Sequence, residues 1–306
     1  MQLLDIVIPA AGRGPDLLRL LQSVQAGCQA SLASTVASIT ITDDRHSAAL
    51  GEQLERRFPS VRYVPGPARG PAANRNHGAR QGTAPWLLFL DDDCYLANDL
   101  LQTYAQQTAQ HPQATVLEGA IHAVGPRPNG NHHAPLNMRG GCLWSCNLML
   151  RREVFECLGG FDERFPFACM EDVDLRERLL AAGAVVVFCP DAYVYHPWRS
   201  ISELELSRQI ISHAIYAQKH AVFVRDWTVL HAARMAWGRL RLYAAGGFGS
   251  IPAAKYRTVA YDLAAPFALL AVTRWPALRR SVDARYRQHP GQHPGRHLGQ
   301  RLGRAA

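Results

Sequence analysis

The apolar run Trp86-Leu87-Leu88-Phe89-Leu90 ends at Asp91-Asp92-Asp93, and this junction constrains the fold more than any other stretch of the chain. Five apolar side chains in a row suit a strand covered on both faces, as in sheets packed between helices. Three adjacent carboxylates repel one another and resist losing water, so they belong in a polar cleft just past the strand. In open α/β sheets that edge, beyond the carboxyl ends of the strands, is where ligands bind.

The flanking sequence repeats the pattern. Strand-like runs at Leu3–Pro9, Val36–Thr42 and Val61–Val64 alternate with helical patterns at Asp16–Ala26, Ser47–Arg57 and Pro71–Gln81. Such alternation predicts a mainly parallel α/β sheet flanked by helices. Residues 123–141, rich in Pro, Gly and Asn, read as a mobile loop. Gly140–Leu150 then reads as a strand, Arg151–Cys157 and Glu171–Ala182 as helices, and Ala184–Phe188 and Ala192–His196 as two strands. Charge divides the chain further. Residues 1–198 carry a balance of −4 and residues 199–306 one of +12, which predicts two differently employed regions. The expected layout is an α/β domain over 1–198, a basic helical region over 199–288 and a disordered tail over 289–306. The opening segment lacks a basic lead and reads as a strand, not a secretory signal. Seven cysteines without a CxxC pair read as reduced core thiols of a cytoplasmic protein.

Three acidic clusters follow predicted strands or open a helix. Asp91-Asp92-Asp93 offers hard oxygen ligands to Mg2+ or Mn2+, and it equally fits a solvated turn with Asp91 capping a helix. Asp43-Asp44 offers an acceptor to a nucleobase N–H, or a cap, with Ser47 starting the next helix. Glu171-Asp172-Val173-Asp174 opens a helix, where acids suit the dipole; alternatively Asp172 is a general base for an acceptor hydroxyl. His196 ends a strand, as a structural residue or as a ligand to a metal or diphosphate.

In order along the chain stand Asp5-Ile6-Val7-Ile8-Pro9, Ile41-Thr42-Asp43-Asp44, Gly70–Gly78 with Arg75-Asn76, and Leu88–Asp93. Gly159-Gly160-Phe161-Asp162-Glu163, Glu171-Asp172-Val173-Asp174-Leu175 and Tyr195-His196 follow. Together they resemble glycosyltransferase family 2. The resemblance implies a GT-A (Rossmann-like) fold, a mixed, mainly parallel sheet, here with a C-terminal helical appendage. It implies that Pro9, Ala10, Arg13, Asp43, Arg75, Asp91 and Asp92 border a nucleotide-diphospho-sugar. Asp93, His196 and Asp91 would hold a divalent cation, Mn2+ or Mg2+, with Asp93 the better ligand. Asp172 would be the base of an inverting, in-line displacement, and Trp144 and Glu171 would lie on the acceptor side. The first loop departs from the family: Ala10-Ala11-Gly12-Arg13 stands where members show a Thr, an aromatic and an Asn.

That loop also echoes sugar-phosphate nucleotidyltransferases, whose triphosphate-neutralising lysine is missing here, since Lys219 and Lys255 are the chain's two lysines. A nucleotide-sugar-binding module without turnover is the other alternative, and a binding module needs no base such as Asp172. In the basic C-terminal region, Val229, Ala233, Ala236, Leu240 and Tyr243 fall on one helical face and His231, Arg234 and Arg241 on another. With Trp227, Trp237 and Trp275 nearby, this region fits either a helical cap or a peripheral contact at the inner face of a membrane. A carbohydrate or lipid-linked acceptor of the cell envelope is then the expected partner. No nucleic-acid motif accompanies the charge.

Overall fold

The computed structural model describes residues 4–30, 35–97, 99–220, 225, 227–278 and 280; the tail expected over 289–306 lies outside them. The chain forms two compact units. One comprises residues 1–124 and 135–197, the other residues 125–134 and the chain from Trp198 onward.

The first unit is built on an eight-stranded sheet in the order β3-β2-β1-β4-β8-β6-β9-β5. Its strands are β1 (Leu4–Ala10), β2 (Val36–Asp43), β3 (Val61–Pro65), β4 (Trp86–Leu90), β5 (Tyr95–Leu96), β6 (Val116–Ala123), β8 (Asn147–Arg151) and β9 (Val186–His196). β1 to β4 are mutually parallel, as are β6 and β9, whereas β8 runs antiparallel between β4 and β6. This is the mixed, mainly parallel GT-A sheet.

Each face of β1 has its own cover. Leu4, Ile6 and Ile8 enter a core with Leu17, Leu20, Leu21 and Val24 of α1 (Gly14–Ala30), Leu50 and Leu54 of α2 (Ala48–Arg57), and Leu100, Leu101 and Tyr104 of α4 (Leu100–Gln110). On the other face α3 (Pro71–Ala79) lies close on the sheet; a Cβ on Gly78 would come within 2.6 Å of Val7 Cγ1. Phe89 of β4 packs there with Phe155 of α5 (Arg152–Cys157) and with Phe161, ring centroids 5.2–5.7 Å apart. Burial on both faces explains the unbroken apolar strands.

Two expectations need correction. Gly140–Cys146 is not strand: Gly140, Gly141 and Leu143 adopt positive φ, which an extended ladder excludes, and β8 starts at Asn147. Val186–His196 is one strand, not two, with a register shift opposite Gly119/Ala120 of β6. A Cβ on Gly119 would collide there with the Asn147 side chain and the Ala192 carbonyl. α4 and β6 also lay outside the sequence reading; α4 is rich in Gln and weakly patterned.

In the second unit, β7 (His132–His133) pairs with β10 (Arg199–Ser200), so part of the segment expected to be a mobile loop is paired strand. Among the described residues the helices α7 (Glu203–Lys219), α8 (Val229–Ala245) and α9 (Tyr256–Arg274) follow. Ser202 and Glu205 cap α7 reciprocally, satisfying two of its free N–H groups. Asp262 of α9 is buried and bound by Arg239 at 2.7 Å and by the Tyr243 hydroxyl at 2.9 Å, which docks α9 on α8. The inner face of α8 is thus Ala232, Arg239 and Tyr243. Val229, expected on that face, is 66% exposed, and Trp227 is buried whereas Trp237 and Trp275 are exposed. No helix among the described residues is long and apolar enough to cross a membrane. Cys94, Cys146 and Cys189 lie in the core.

Candidate active site

The residues just past β1, β2 and β4 meet at one edge of the first unit's sheet. β1 pairs with β2 through Ala10 opposite Asp43, and with β4 through Val7 opposite Phe89. The loop after β1 therefore faces the acids after β4. Ala11 N–H donates to Asp92 at 3.3 Å, and the Arg13 guanidinium reaches Asp92 at 3.2 Å and Asp93 at 2.8 Å. Burial pushes the Asp92 carboxyl up to about 7; Arg13 opposes the shift, and Asp93 and Asp91 add to it.

Asp91 has a different partner. Arg75 of α3 is almost wholly buried and binds Asp91 Oδ1 at 2.6 Å and Glu171 Oε1 at 2.9 Å. One guanidinium thus joins the acids after β4 to those opening α6 (Glu171–Ala181). Burial opposes the charge on Arg75, and Asp91 and Glu171 more than compensate, holding it cationic. Phe161 lies under that guanidinium, 5.5 Å from the ring centroid. The next residue, Asn76, clamps the same segment: its Nδ2 donates to Phe161 O at 2.8 Å and its Oδ1 accepts from Phe161 N at 2.9 Å. The Arg75-Asn76 pair of α3 therefore ties together three of the sequence motifs.

Glu171 is buried, and its Oε2 has no hydrogen-bond partner among the described residues. Burial and the adjacent Asp172 raise its pKa, with Arg75 pulling it back. Asp172, half-buried beside it, is also raised, chiefly by desolvation, against the pull of Arg75. Its Oδ1 accepts from Val173 N at 2.8 Å.

Asp93 also faces His196 at the end of β9, Oδ1 to Nε2 3.3 Å. His196 Nδ1 lies 2.8 Å from Pro197 O, a contact that requires the proton on Nδ1. Nε2 of a neutral ring then directs a lone pair at a carboxylate oxygen, which is favourable only with a second proton or a cation between them. Cys94 Sγ completes a group of three ligand atoms with Asp93 and His196, all within 4.8 Å of one another. This donor set fits a divalent cation. Asp91 lies outside that group.

Asp43 is fully buried, and its carboxylate accepts from Arg45 N and Ser47 N, both at 3.0 Å, and from the Tyr63 hydroxyl at 2.7 Å. A base N–H reaching Asp43 would share it with these donors. Ser47 caps α2 through its Oγ, and Asp44 holds Ala68 N and Gly70 N.

The sequence reading missed Glu118 of β6. Buried to 1% exposure, it accepts from Cys142 N at 2.8 Å, Leu143 N and Gly141 N both at 2.6 Å, and Asn137 Nδ2 at 2.8 Å. The loop before half-buried Trp144 is wrapped around one carboxylate, and Arg176 of α6 ties it down by donating to Gly141 O at 2.7 Å. A lone acid inside an apolar strand pattern was the available signal. Glu118→Gln turns one acceptor oxygen into a donor facing these N–H groups. Its expected cost is about 1.5–3 kcal/mol in urea unfolding, the range for bonds to a charged group.

Comparison with known proteins agrees with this architecture. The chain resembles the N-acetylglucosaminyl-diphospho-decaprenol L-rhamnosyltransferase of Mycobacterium tuberculosis, at 28% identity over 63% of this chain and 75% of that protein. It resembles the succinoglycan biosynthesis protein ExoM of Rhizobium meliloti at 30% identity, covering 60% of this chain and 64% of the relative. The O-antigen biosynthesis protein RfbC of Myxococcus xanthus is 32% identical over 63% of this chain and 17% of its own length. The sequence profile of glycosyl transferase family 2 matches residues 5–159, which contain the acids after β2 and β4 and the Arg75-Asn76 helix; Asp172 and His196 lie beyond the match. With half of its length so matched, this chain belongs to glycosyl transferase family 2 and is a glycosyltransferase.

Proposed function

We propose that this glycosyltransferase moves a sugar from a nucleotide-diphosphate donor to the hydroxyl of a lipid-linked or other cell-envelope glycan acceptor, with metal assistance and inversion at the anomeric carbon. The observation that carries this reading is the double grip of Arg75 on Asp91 and Glu171, because it joins the acids after β4 to the Glu171-Asp172 pair through one guanidinium.

In this reading Pro9, Ala10, Asp43 and Arg75 border the nucleotide, and Asp91 and Asp92 face the donor. Asp93 and His196 hold the cation, with Cys94 beside them, while Asp91 stays with Arg75. The bound cation supplies Lewis-acid neutralisation of the departing diphosphate. Asp172 accepts the proton of the acceptor hydroxyl as its oxygen attacks the anomeric carbon from the face opposite the leaving group. The raised Asp172 carboxyl makes it a better base than an exposed aspartate. Glu171 stands beside Asp172 on the acceptor side, and Trp144 offers an indole face to the acceptor sugar. Family membership argues against the nucleotidyltransferase alternative, and a binding module without turnover has no use for a base at Asp172.

For the second unit we propose a peripheral contact with an anionic membrane, where a lipid-linked acceptor resides. Leu230, Arg234, Trp237 and Arg241 fall on the outward stripe of α8, opposite its inner face. An apolar and basic stripe of this kind suits a headgroup interface.

A donor panel tests the catalytic reading. UDP-, GDP- and dTDP-sugars are offered with and without Mn2+, and melting temperature is followed. One nucleotide class is expected to stabilise the wild type in a Mn2+-dependent way, and Asp93→Ala is expected to abolish the Mn2+-dependent part. Stabilisation indifferent to Mn2+ would remove the metal from the mechanism.

A further inference from the structure

We propose that Arg13 is a displaceable counter-cation: it neutralises Asp92 and Asp93 in the donor-free enzyme, yields Asp93 to the divalent cation, and turns to the donor's diphosphate. The inference rests on the metal reading above and adds to it the order in which charges are exchanged.

Two guanidiniums face the acids that follow β4, and they are built differently. Arg75 is 3% exposed and fixed between Asp91 and Glu171. Arg13 is 49% exposed and reaches Asp92 and Asp93 from a loop just before α1. Gly12 beside it has φ +90°, a conformation that favours glycine. Leu17 N bonds to Arg13 O at 3.0 Å and Ala11 N bonds to Asp92, so the backbone stays anchored when the side chain swings. The guanidinium therefore has a fixed base and a solvent-facing path.

The carboxylate it holds at 2.8 Å is also the one beside His196 and Cys94. A guanidinium keeps its charge at every relevant pH, so it competes with a dication for Asp93 by direct repulsion. A diphosphate removes the conflict by giving the guanidinium two new acceptors. Cation alone should then bind weakly, and cation with nucleoside diphosphate should bind cooperatively.

The test is Mn2+ titration by electron paramagnetic resonance on the full chain, with and without UDP, GDP or dTDP, corrected for Mn2+ bound by nucleotide in solution. Arg13→Ala and Arg13→Gln are each expected to tighten binding of Mn2+ alone by about tenfold, the effect of one removed competing charge. The enhancement of Mn2+ affinity by nucleotide should shrink in parallel, while Arg13→Lys, which keeps the charge, stays near wild type. Unchanged or weaker Mn2+ binding in both neutral variants would overturn the role of Arg13. Failure of wild type and variants alike to bind Mn2+ with any nucleotide, matching Asp93→Ala, would instead overturn the metal reading on which this rests.

Discussion

Asp172→Asn is expected to leave donor binding unchanged and to lower the turnover number for transfer by about 10²–10⁴-fold, the range a positioned general base contributes. Asparagine keeps the shape of the side chain and can still accept from Val173 N, but it cannot take a proton from the acceptor hydroxyl. Donor affinity, measured by melting-temperature shift, should match the wild type, which separates loss of the base from loss of the site. Because desolvation raises both Asp172 and Glu171, the acidic limb of the pH–rate profile should lie above the range of a solvated aspartate and report the pair jointly. The sign follows from the base being needed in its ionised form: activity falls as pH drops through the raised value. Native-rate transfer by Asp172→Asn would refute the assignment.

Arg75→Met is expected to cost about 3–5 kcal/mol of folding stability, the penalty for breaking a buried ion pair and stranding its partners. Methionine fills much of the volume, so the loss is electrostatic. Glu171 and Asp91 would remain, with the Glu171 carboxylate inside the protein. Without its cation, the folded-state pKa of Glu171 moves further above its unfolded value, so the ionised form destabilises the fold above neutral pH and the penalty is relieved on protonation. The stability deficit against wild type, read from urea midpoints at constant m, should therefore narrow as pH is lowered through about 8, the raised value of Glu171 in the native fold. Arg75→Met combined with Glu171→Gln should recover part of the loss, since it removes the stranded charge. A deficit independent of pH and unrelieved by Glu171→Gln would mean that Arg75 acts by packing on Phe161.

Much of this architecture is legible in local pattern. Continuous apolar strands report burial on both faces, and β1, β2, β3 and β4 fall within a residue or two of where their apolar runs place them. Ser47 and the acids that open α6 mark helix starts through the chemistry of free N–H groups. What escaped the sequence has a physical reason in each case. α4 carries six glutamines or threonines, none of them buried, and buries three residues, too narrow a stripe to announce itself. Gly140–Cys146 looked extended because its apolar residues follow glycines, yet its backbone curls around Glu118, a residue more than twenty positions away. On α8 the inward face includes Arg239, because Asp262 on another helix neutralises it.

The sequence by itself determined that a mainly parallel α/β sheet forms and that three acidic clusters stand at strand ends or a helix start, since hydrophobic period and charge repulsion are local properties. Which acid faces which cation was decided by tertiary structure alone. Arg75 takes Asp91 and Glu171, Arg13 takes Asp92 and Asp93, and His196 is left facing Asp93 with Cys94. These pairings span 16 to 103 residues of chain, and they exist because parallel strands deliver distant segments to one edge of a sheet, where a few ångströms settle the electrostatics.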